Sequence, residues 1–582
     1  MKQNKRTSRH QHLLSKKTAD ESNLIVSEKK NSSVIYLIIA FCLPVLLYLQ
    51  TINFGLTGFD DDSIIVNNIS FLRHLDNAPQ AFFTDAFIDK SSSFYRPLQT
   101  LSYMTDIQLS GANKTWMFHL TDILLLGFIS CLLFLLFRRF SIPKNVALPG
   151  ALIYCAHPLF ISSVAWIPAR GDLMLMLFSL LSFIFFIDFL RSKKVICLIL
   201  NWAAFTIALF CKETAAFLPF LFIIYFFTFH KGKHFEGNYA FLIILYAVSG
   251  IFWFWLRYKA IGGISNRNDV FELIPFLMNF STIPESVAKF FLPFDIAPIP
   301  AFSKYDTMIG IGVIAILVSL FINKSEKPWK EFIFCFSWFL ILMLPSMFYK
   351  HPYIDYLNHR FFLPLIGLLL FVLLLLPERR TRKGIIKQYW LMIAVFLILS
   401  TSTFIKSRSY ADTLTFYSSA VAQNPNSATA YINLGYLKNA ANDFQGAVDD
   451  YNKAIAICPN YPDAFNNRGV SKTNLGDKQG AVDDYNKAIA INPNYSNAYN
   501  NRGIAKATMG DNAGAMSDFN KAVSINPGYS DAYCNRAITR FTLKDYAGVI
   551  EDCNTMLKLN PDDEKAFNLK AKAQQELQNG SH

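Results

Sequence analysis

Three adjacent carboxylates, Asp60, Asp61 and Asp62, stand in the segment FGLTGFDDDSIIVNN, directly after the first long apolar stretch of the chain. A carboxylate can take a proton from a reacting hydroxyl group, and a cluster of carboxylates can hold a divalent cation. A run of acids in a loop is more often a solvated turn. The segment alone therefore does not define a site, and other polar groups have to support it.

Four further segments carry ionisable groups at the ends of apolar stretches. They contain Tyr95 and Arg96 (SSSFYRPLQTLSY), His157, Arg170 and Asp172 (HPLFISSVAWIPARGD), Lys212 and Glu213 (CKETA), and His359 and Arg360 (NHRFFLPLIG). Such groups are often interfacial anchors, so each one alone is weak evidence. Arginine offers phosphate oxygens a bidentate fork, and a shared location of all these segments on one side of a membrane would be a stronger signal.

The elements that must position these groups are membrane spans. Of the 582 residues, 52% are hydrophobic and only 17% are charged, whereas about a quarter is charged in ordinary globular domains. Runs of about 17 to 23 apolar residues, the length that crosses a bilayer, predict about eleven spans. They lie near 34–52, 115–137, 145–165, 172–190, 195–210, 214–230, 239–257, 307–323, 331–349, 361–377 and 388–405.

Basic residues orient these spans. Residues 1–32 form a polar, basic segment that we interpret as a disordered cytosolic tail, and alternate loops are richer in Lys and Arg. By the positive-inside rule these loops are cytosolic, and the acidic and histidine-containing segments then lie outside. The formal charge of +13 is accounted for by the tail and these loops, which argues against nucleic-acid binding. The 9 cysteines have no metal-ligand spacing.

The C-terminal part has a different composition and a regular period. Pro425, Pro459, Pro493, Pro527 and Pro561 are each 34 residues apart, which is the period of tetratricopeptide repeats. We therefore predict an all-α fold with three parts: the tail (1–32), a multi-pass membrane domain (33–410), and about four repeats with flanking helices (411–582).

Asparagine recurs at the same period, as Asn433, Asn467, Asn501 and Asn535. This ladder resembles that of the protein O-GlcNAc transferase, in which carboxamides hold an extended polypeptide. A carboxamide offers a peptide unit both a donor and an acceptor. The ladder is a candidate acceptor-binding surface, although asparagine also suits this position in many such repeats.

The order of the motifs resembles a known family. An acidic pair after the first span, then YRPL, HPLxxxxVAW with a following RxD, KET, and an Arg before FLPLIG precede tetratricopeptide repeats in the transmembrane and tetratricopeptide-repeat-containing O-mannosyltransferases and their bacterial relatives. These enzymes belong to the C-type glycosyltransferase superfamily. This chain differs in carrying His359 where relatives commonly have an acid, and Gly171 between Arg170 and Asp172.

The resemblance implies a reaction and its residues. These enzymes move a sugar, often mannose, from a polyprenyl or dolichyl phosphate to protein Ser or Thr hydroxyls. Asp60 or Asp61 would be the general base, and fixed cations would meet the charge of the departing phosphate. The candidate cations are Arg96, Arg170, Lys212 and Arg360, and the supporting residues are Asp62, Tyr95, His157, Asp172, Glu213 and His359.

Several alternatives stay open at this stage. No metal or other cofactor is required for a monophosphate donor, although a divalent cation could bind the acidic cluster. The partners would be the lipid-linked donor and a protein acceptor, in a bacterial cytoplasmic membrane or, alternatively, the endoplasmic reticulum. The repeats would be extracytoplasmic or lumenal. Two other functions fit: a noncatalytic scaffold that recruits partners through its repeats, or a transferase that acts on polysaccharide or lipid glycans.

Overall fold

The described parts of the chain form helices joined by turns and loops. The computed structural model describes residues 34–88, 94–111, 114–230, 237–261, 279–294, 296–300, 303–324, 328–347, 358–376 and 382–579, and these ranges contain helices and no β-strand. The predicted all-α class is confirmed. The predicted tail, residues 1–32, and parts of the basic loops lie outside the described residues.

The chain divides into two compact units, residues 1–416 and 417–582. The helices of the first unit are built from the apolar runs. They are α1 (Val34–Asn53), α2 (Pro97–Ser110), α3 (Trp116–Arg139), α4 (Lys144–Cys155), α5 (Pro158–Ala165), α6 (Arg170–Ser192), α7 (Val195–Cys211), α8 (Leu218–Phe229), α9 (Gly237–Ile261), α10 (Thr282–Phe291), α11 (Lys304–Ile322), α12 (Trp329–Met347), α13 (Leu365–Leu375) and α14 (Arg382–Lys406).

Each predicted span corresponds to a helix, but the spans differ in length. Within the described ranges seven helices are long and apolar enough to cross a membrane alone, and α4 with α5 forms an eighth candidate that is bent by 48°. The spans predicted at 195–210, 214–230 and 361–377 correspond to the shorter apolar helices Val195–Cys211, Glu213–Phe229 and Leu365–Leu375. Helix α13 rises only about 16 Å, roughly half the hydrocarbon thickness, because it begins after Pro364. The protein is therefore a multi-pass membrane protein with some short helices among its spans.

The segment predicted to be interfacial or re-entrant, ESVAKFFLPF, lies mostly in the ten-residue helix α10, which ends at Phe291. A helix of this length cannot cross a bilayer. It packs closely against α11, since a Cβ at Gly310 would clash with the backbone of Pro284. The neighbouring piece FELIPFLMNF lies mostly outside the described residues.

The second unit consists of four helix pairs with flanking helices. The pairs are Ala428–Ala440 with Phe444–Ile457, Pro462–Asn474 with Lys478–Ile491, Ser496–Thr508 with Asn512–Ile525, and Ser530–Thr542 with Tyr546–Leu559. Helices Thr413–Gln423 and Glu564–Asn579 flank them. The small residue of the period has a physical cause: a Cβ at Gly469 would lie 2.6 Å from the Tyr485 ring. The predicted repeats are confirmed.

Three arginine side chains join successive repeats. Arg468, Arg502 and Arg536 each bind the buried carboxylate of Asp484, Asp518 or Asp552 in the second helix of their own repeat, at 2.5–2.6 Å. Each guanidinium also donates to an asparagine 16 residues earlier, in the preceding repeat. A single side chain thus connects three helices at every step of the array.

Candidate active site

The three carboxylates after α1 have different surroundings although they are adjacent in the chain. Asp61 is buried, with 1% of its surface exposed, and its Oδ2 accepts hydrogen bonds from Thr57 N at 2.8 Å and Thr57 Oγ1 at 2.5 Å. Asp60 is half-buried and Asp62 is exposed. Burial raises the pKa of Asp61 to about 6, against the lowering effect of the Thr57 hydrogen bonds. Asp61 therefore holds the turn, whereas Asp60 is less enclosed.

Two arginines from distant parts of the chain lie near Asp60. Burial raises the pKa of Asp60, and the positive charges of Arg96 and Arg360 oppose that increase. Arg96 stands at the start of α2, and Arg360 lies in the short 3-10 helix Asn358–Phe361 before α13. The structure thus brings one carboxylate and two cations together, as the motif order predicts.

Arg96 keeps hydrogen-bonding capacity. Its guanidinium lies 4.7 Å above the Phe94 ring, and Glu213 Oε1 is 3.8 Å from Nη2. Its buried Nε has no hydrogen-bond partner among the described residues. An anion that enters this space would meet a positioned donor rather than a saturated ion pair.

Asp60, Arg96 and Arg360 form a charged cluster. Lys212 belongs to this cluster, since it lies near Arg96, but it already has a close partner. Its Nζ lies 2.7 Å and 2.8 Å from the two carboxylate oxygens of Asp172. His359 Nε2 is 3.8 Å from Asp172 Oδ2. Burial and the nearby cations hold the pKa of His359 well below its usual range, so His359 is neutral at pH 7.

Arg170 lies elsewhere, in an enclosed network. Its side chain is 0% exposed, with Nε 2.6 Å from Asp122 Oδ1 and Nη1 2.6 Å from Asp106 Oδ2. Its Nη2 donates to the Phe118 carbonyl at 2.7 Å. This position does not fit the predicted phosphate contact, because two carboxylates occupy the guanidinium. Arg170 instead joins the start of α6 to α2 and α3.

Removing only the cation of this network should strongly destabilise the membrane domain. Arg170→Met leaves two buried carboxylates without a counter-charge, which costs on the order of 3–5 kcal/mol. We expect a lower thermal unfolding temperature in detergent, with most of the loss recovered when Asp106→Asn and Asp122→Asn are added. Arg191→Gln at the exposed end of the same helix is the matched control. An unchanged unfolding temperature for Arg170→Met would contradict the structural role.

Tyr95 and His157 also have structural partners. The Tyr95 hydroxyl donates to the Phe82 carbonyl at 2.9 Å. His157 Nε2 lies 2.8 Å from the Phe290 carbonyl, and the imidazole stacks on the Phe290 ring. Both residues fasten the elements around the cluster and do not point to a reacting group.

Trp166 also belongs to the cluster, although it is not among the site residues predicted from the motifs. Its ring lies 5.3 Å from the His359 ring and 5.6 Å from the Phe59 ring. Trp166 therefore connects the residue before Arg360 to the residue before Asp60. In a chain with 8 Trp and 55 Phe, its type carried no signal, and only its place inside the HPLxxxxVAW motif could have indicated it.

The asparagine ladder of the second unit is engaged in contacts between repeats. Asn501 Nδ2 donates to Asn466 Oδ1 at 3.0 Å, and Asn535 Nδ2 donates to Asn500 Oδ1 at 2.9 Å. Asn433 donates to the Thr429 carbonyl, and Asn467 Oδ1 accepts from Asn466. A second asparagine column thus supports the first, and half-buried carboxamides remain along it.

No group of three or more His, Cys, Asp or Glu side chains in the described ranges is arranged to hold a metal ion. The charged groups of the cluster are instead mixed in sign. The cations are Arg96, Lys212 and Arg360, and the acids are Asp60, Asp172 and Glu213.

The comparisons match both parts of the chain, the membrane-embedded helical domain and the helical repeats, to known families. Residues 101–255 match the family of dolichyl-phosphate-mannose-protein mannosyltransferases. Residues 438–476, 462–495 and 496–529 match three tetratricopeptide-repeat families.

The relatives carry a more particular name. Protein O-mannosyl-transferase TMTC4 of Homo sapiens is 29% identical over 185 residues, which cover 27% of this chain and 24% of the relative. Protein O-mannosyl-transferase Tmtc1 of Drosophila melanogaster is 28% identical over 176 residues, covering 30% and 20%. The chain thus aligns with a quarter or less of these relatives' length. The resemblance stated from the motifs is confirmed.

The solved structures that resemble part of this chain include tetratricopeptide-repeat proteins. A tetratricopeptide-repeat protein with an unusual peptide-binding site, YrrB, is 24% identical and covers 30% of this chain and 89% of its own, with a TM-score of 0.25. MamA is 21% identical and covers 28% and 90%, with a TM-score of 0.24. The repeat assignment therefore rests on the family matches and the 34-residue period.

Proposed function

We propose that this chain transfers mannose from a polyprenyl or dolichyl phosphate to Ser or Thr hydroxyls of proteins. The observation that carries the proposal is the half-buried Asp60 beside Arg96 and Arg360. The mannosyltransferase match over residues 101–255 and the names of the relatives support the choice of sugar and acceptor.

The proposed step is a single displacement. The acceptor oxygen forms a bond to the anomeric carbon while the bond from that carbon to the phosphate oxygen breaks, and the hydroxyl proton passes to Asp60. The products are the O-glycosylated protein and polyprenyl phosphate, with inversion at the anomeric carbon. Arg96 and Arg360 meet the charge that develops on the phosphate, so the step requires no metal ion.

An apolar cavity supports the proposal that the donor sugar is linked to a lipid. It has a volume of about 440 Å³ and lies between α6, α7, α8 and α9. The cavity is lined by Leu209 and Ala216, which lie close to Lys212 and Glu213 in the chain. It is also lined by Trp253, which packs against Tyr95. When Arg96 binds the donor phosphate, the isoprenoid chain of the donor therefore lies in apolar surroundings at hydrocarbon depth.

The repeats would bind the acceptor. Their carboxamide column offers donors and acceptors to a peptide backbone, and the predicted orientation puts the repeats on the same side as the acidic loop. We propose a bacterial cytoplasmic membrane with extracytoplasmic repeats; in the endoplasmic reticulum the repeats would be lumenal.

A transfer assay tests this function. Full-length protein in nanodiscs would receive radiolabelled polyprenyl-phosphate mannose and Ser/Thr-containing proteins or peptides. We expect label in protein, and a higher acceptor KM after combined Asn467→Ala and Asn501→Ala substitutions. Label only in glycolipid or polysaccharide would assign a different acceptor class, and no transfer with any lipid-linked sugar would favour a scaffold.

The pH profile follows from the surroundings of Asp60. The base must be ionised, and burial raises its pKa, so kcat/KM should fall as the pH drops through a value above the usual range of a carboxyl group. Arg96→Gln removes a charge that lowers this pKa and should move the acidic limb upward. A limb that moves downward, or stays fixed, would contradict Asp60 as the titrating base.

A further inference from the structure

The ion pair between Lys212 and Asp172 is closed, whereas the nearest carboxylate to Arg96 is 3.8 Å away. Lys212 Nζ contacts both oxygens of Asp172 at 2.7 Å and 2.8 Å, and the two side chains are only 8% and 7% exposed. Asp172 lies in the first turn of α6 and Lys212 directly follows α7. The pair joins the ends of two helices that pack along each other.

From this pair, contacts lead to both sides of the candidate site. Asp172 Oδ2 lies 3.8 Å from His359 Nε2. The His359 ring packs on Trp166 at 5.3 Å, and Trp166 packs on Phe59 at 5.6 Å. His359 immediately precedes Arg360, and Phe59 immediately precedes Asp60. This series of side-chain contacts therefore joins the pair to the residues next to a candidate cation and the candidate base.

Charge separates the role of Lys212 from that of Arg96. The positive charge of Lys212 is matched by a carboxylate at hydrogen-bond distance, so a phosphate would have to displace Asp172 and leave it buried and unpaired, which is costly. Arg96 has its nearest carboxylate at 3.8 Å and a buried Nε with no hydrogen-bond partner among the described residues. An incoming phosphate gains more at Arg96 than at Lys212.

We propose that Lys212 and Asp172 form a positioning pair that holds His359, and through it Arg360 and Asp60, and that Lys212 does not bind the donor phosphate. This inference rests on the proposed function. It assigns Lys212, His359 and Trp166 to the support of the reacting groups rather than to contact with the donor.

The test compares Lys212→Met, Asp172→Asn and the double variant in nanodiscs, with polyprenyl-phosphate mannose as the donor. Each single change leaves a buried charge unpaired, so kcat should fall on the order of a hundredfold or more. The double variant removes both charges and keeps the net charge of the site. Its kcat should return to within about tenfold of wild type, with a donor KM within about threefold.

Two results would overturn the proposal. One is a double variant no more active than Lys212→Met, and the other is a donor KM raised more than about tenfold in the double variant. If the single variants do not fold, the affinity of the double variant for a short-chain polyprenyl phosphate decides: a Kd close to wild type supports the proposal, and a loss of more than about tenfold contradicts it. Wild-type protein that binds this lipid but transfers no sugar would count against the proposed function, and the binding comparison would still judge the pair.

Discussion

Asp60→Asn should nearly abolish sugar transfer, whereas Asp61→Asn should leave most of it. Asp60 is half-buried beside two cations, and an amide in its place cannot accept the hydroxyl proton, which lowers kcat by about 10²–10⁴-fold. Asp61 is buried and serves as the acceptor for Thr57 N and Oγ1. The amide oxygen of an asparagine can accept the same two hydrogen bonds, so we expect transfer within about tenfold of wild type.

The measurement is single-turnover transfer from the lipid-linked donor at matched protein amounts, with thermal unfolding recorded for each variant. Thr57→Val is a useful companion, because it removes only the side-chain hydrogen bond to Asp61. It should resemble Asp61→Asn in rate. If Asp61→Asn loses as much activity as Asp60→Asn while both remain folded, the assignment of the base to Asp60 is wrong.

Arg360→Gln and Arg96→Gln should each lower kcat by about 10²–10³-fold, because each removes a fixed charge that meets the developing phosphate charge. Lysine at either position keeps the charge but loses the planar fork, so Arg360→Lys and Arg96→Lys should recover only part of the rate. The effect should appear mainly in kcat, since the phosphate gains its second negative charge only as the sugar leaves.

Steady-state kinetics with varied donor concentration would separate kcat from the donor KM. Arg191→Gln is the matched control, since Arg191 is an arginine at the opposite end of α6 and contacts the Arg139 carbonyl. It should leave both constants unchanged. A kcat within about threefold of wild type for both Arg360→Gln and Arg96→Gln would remove these arginines from the proposed step.

Much of the architecture could be predicted from local patterns. A bilayer demands long apolar runs, and a stacked repeat demands a small residue wherever two helices touch, as at Gly469. Both demands recur along the chain, so the apolar segments and the 34-residue period were readable without coordinates. The lengths of the spans could be predicted less well from these patterns. The short α13 depends on one proline, Pro364, at its start.

The roles of the individual charged residues depended on folding. Arg96 and Arg170 both stand at the start of a helix next to motif residues, and nothing in their local sequence separates them. Arg170 is enclosed because Asp106 and Asp122, 64 and 48 residues earlier, pack against it. Arg96 lies beside Asp60 because α2 starts near the loop after α1.

The roles of Asp60, Asp61 and Lys212 also depend on folding. Composition and order were enough to predict which segments carry the chemistry, because membranes and repeats impose regular patterns on the chain. Which acid is buried, and which cation already has a carboxylate, depends on side chains that are distant in sequence and meet only after the helices pack. Burial and the nearest charge determine what a titratable group can do, and both are properties of the tertiary structure.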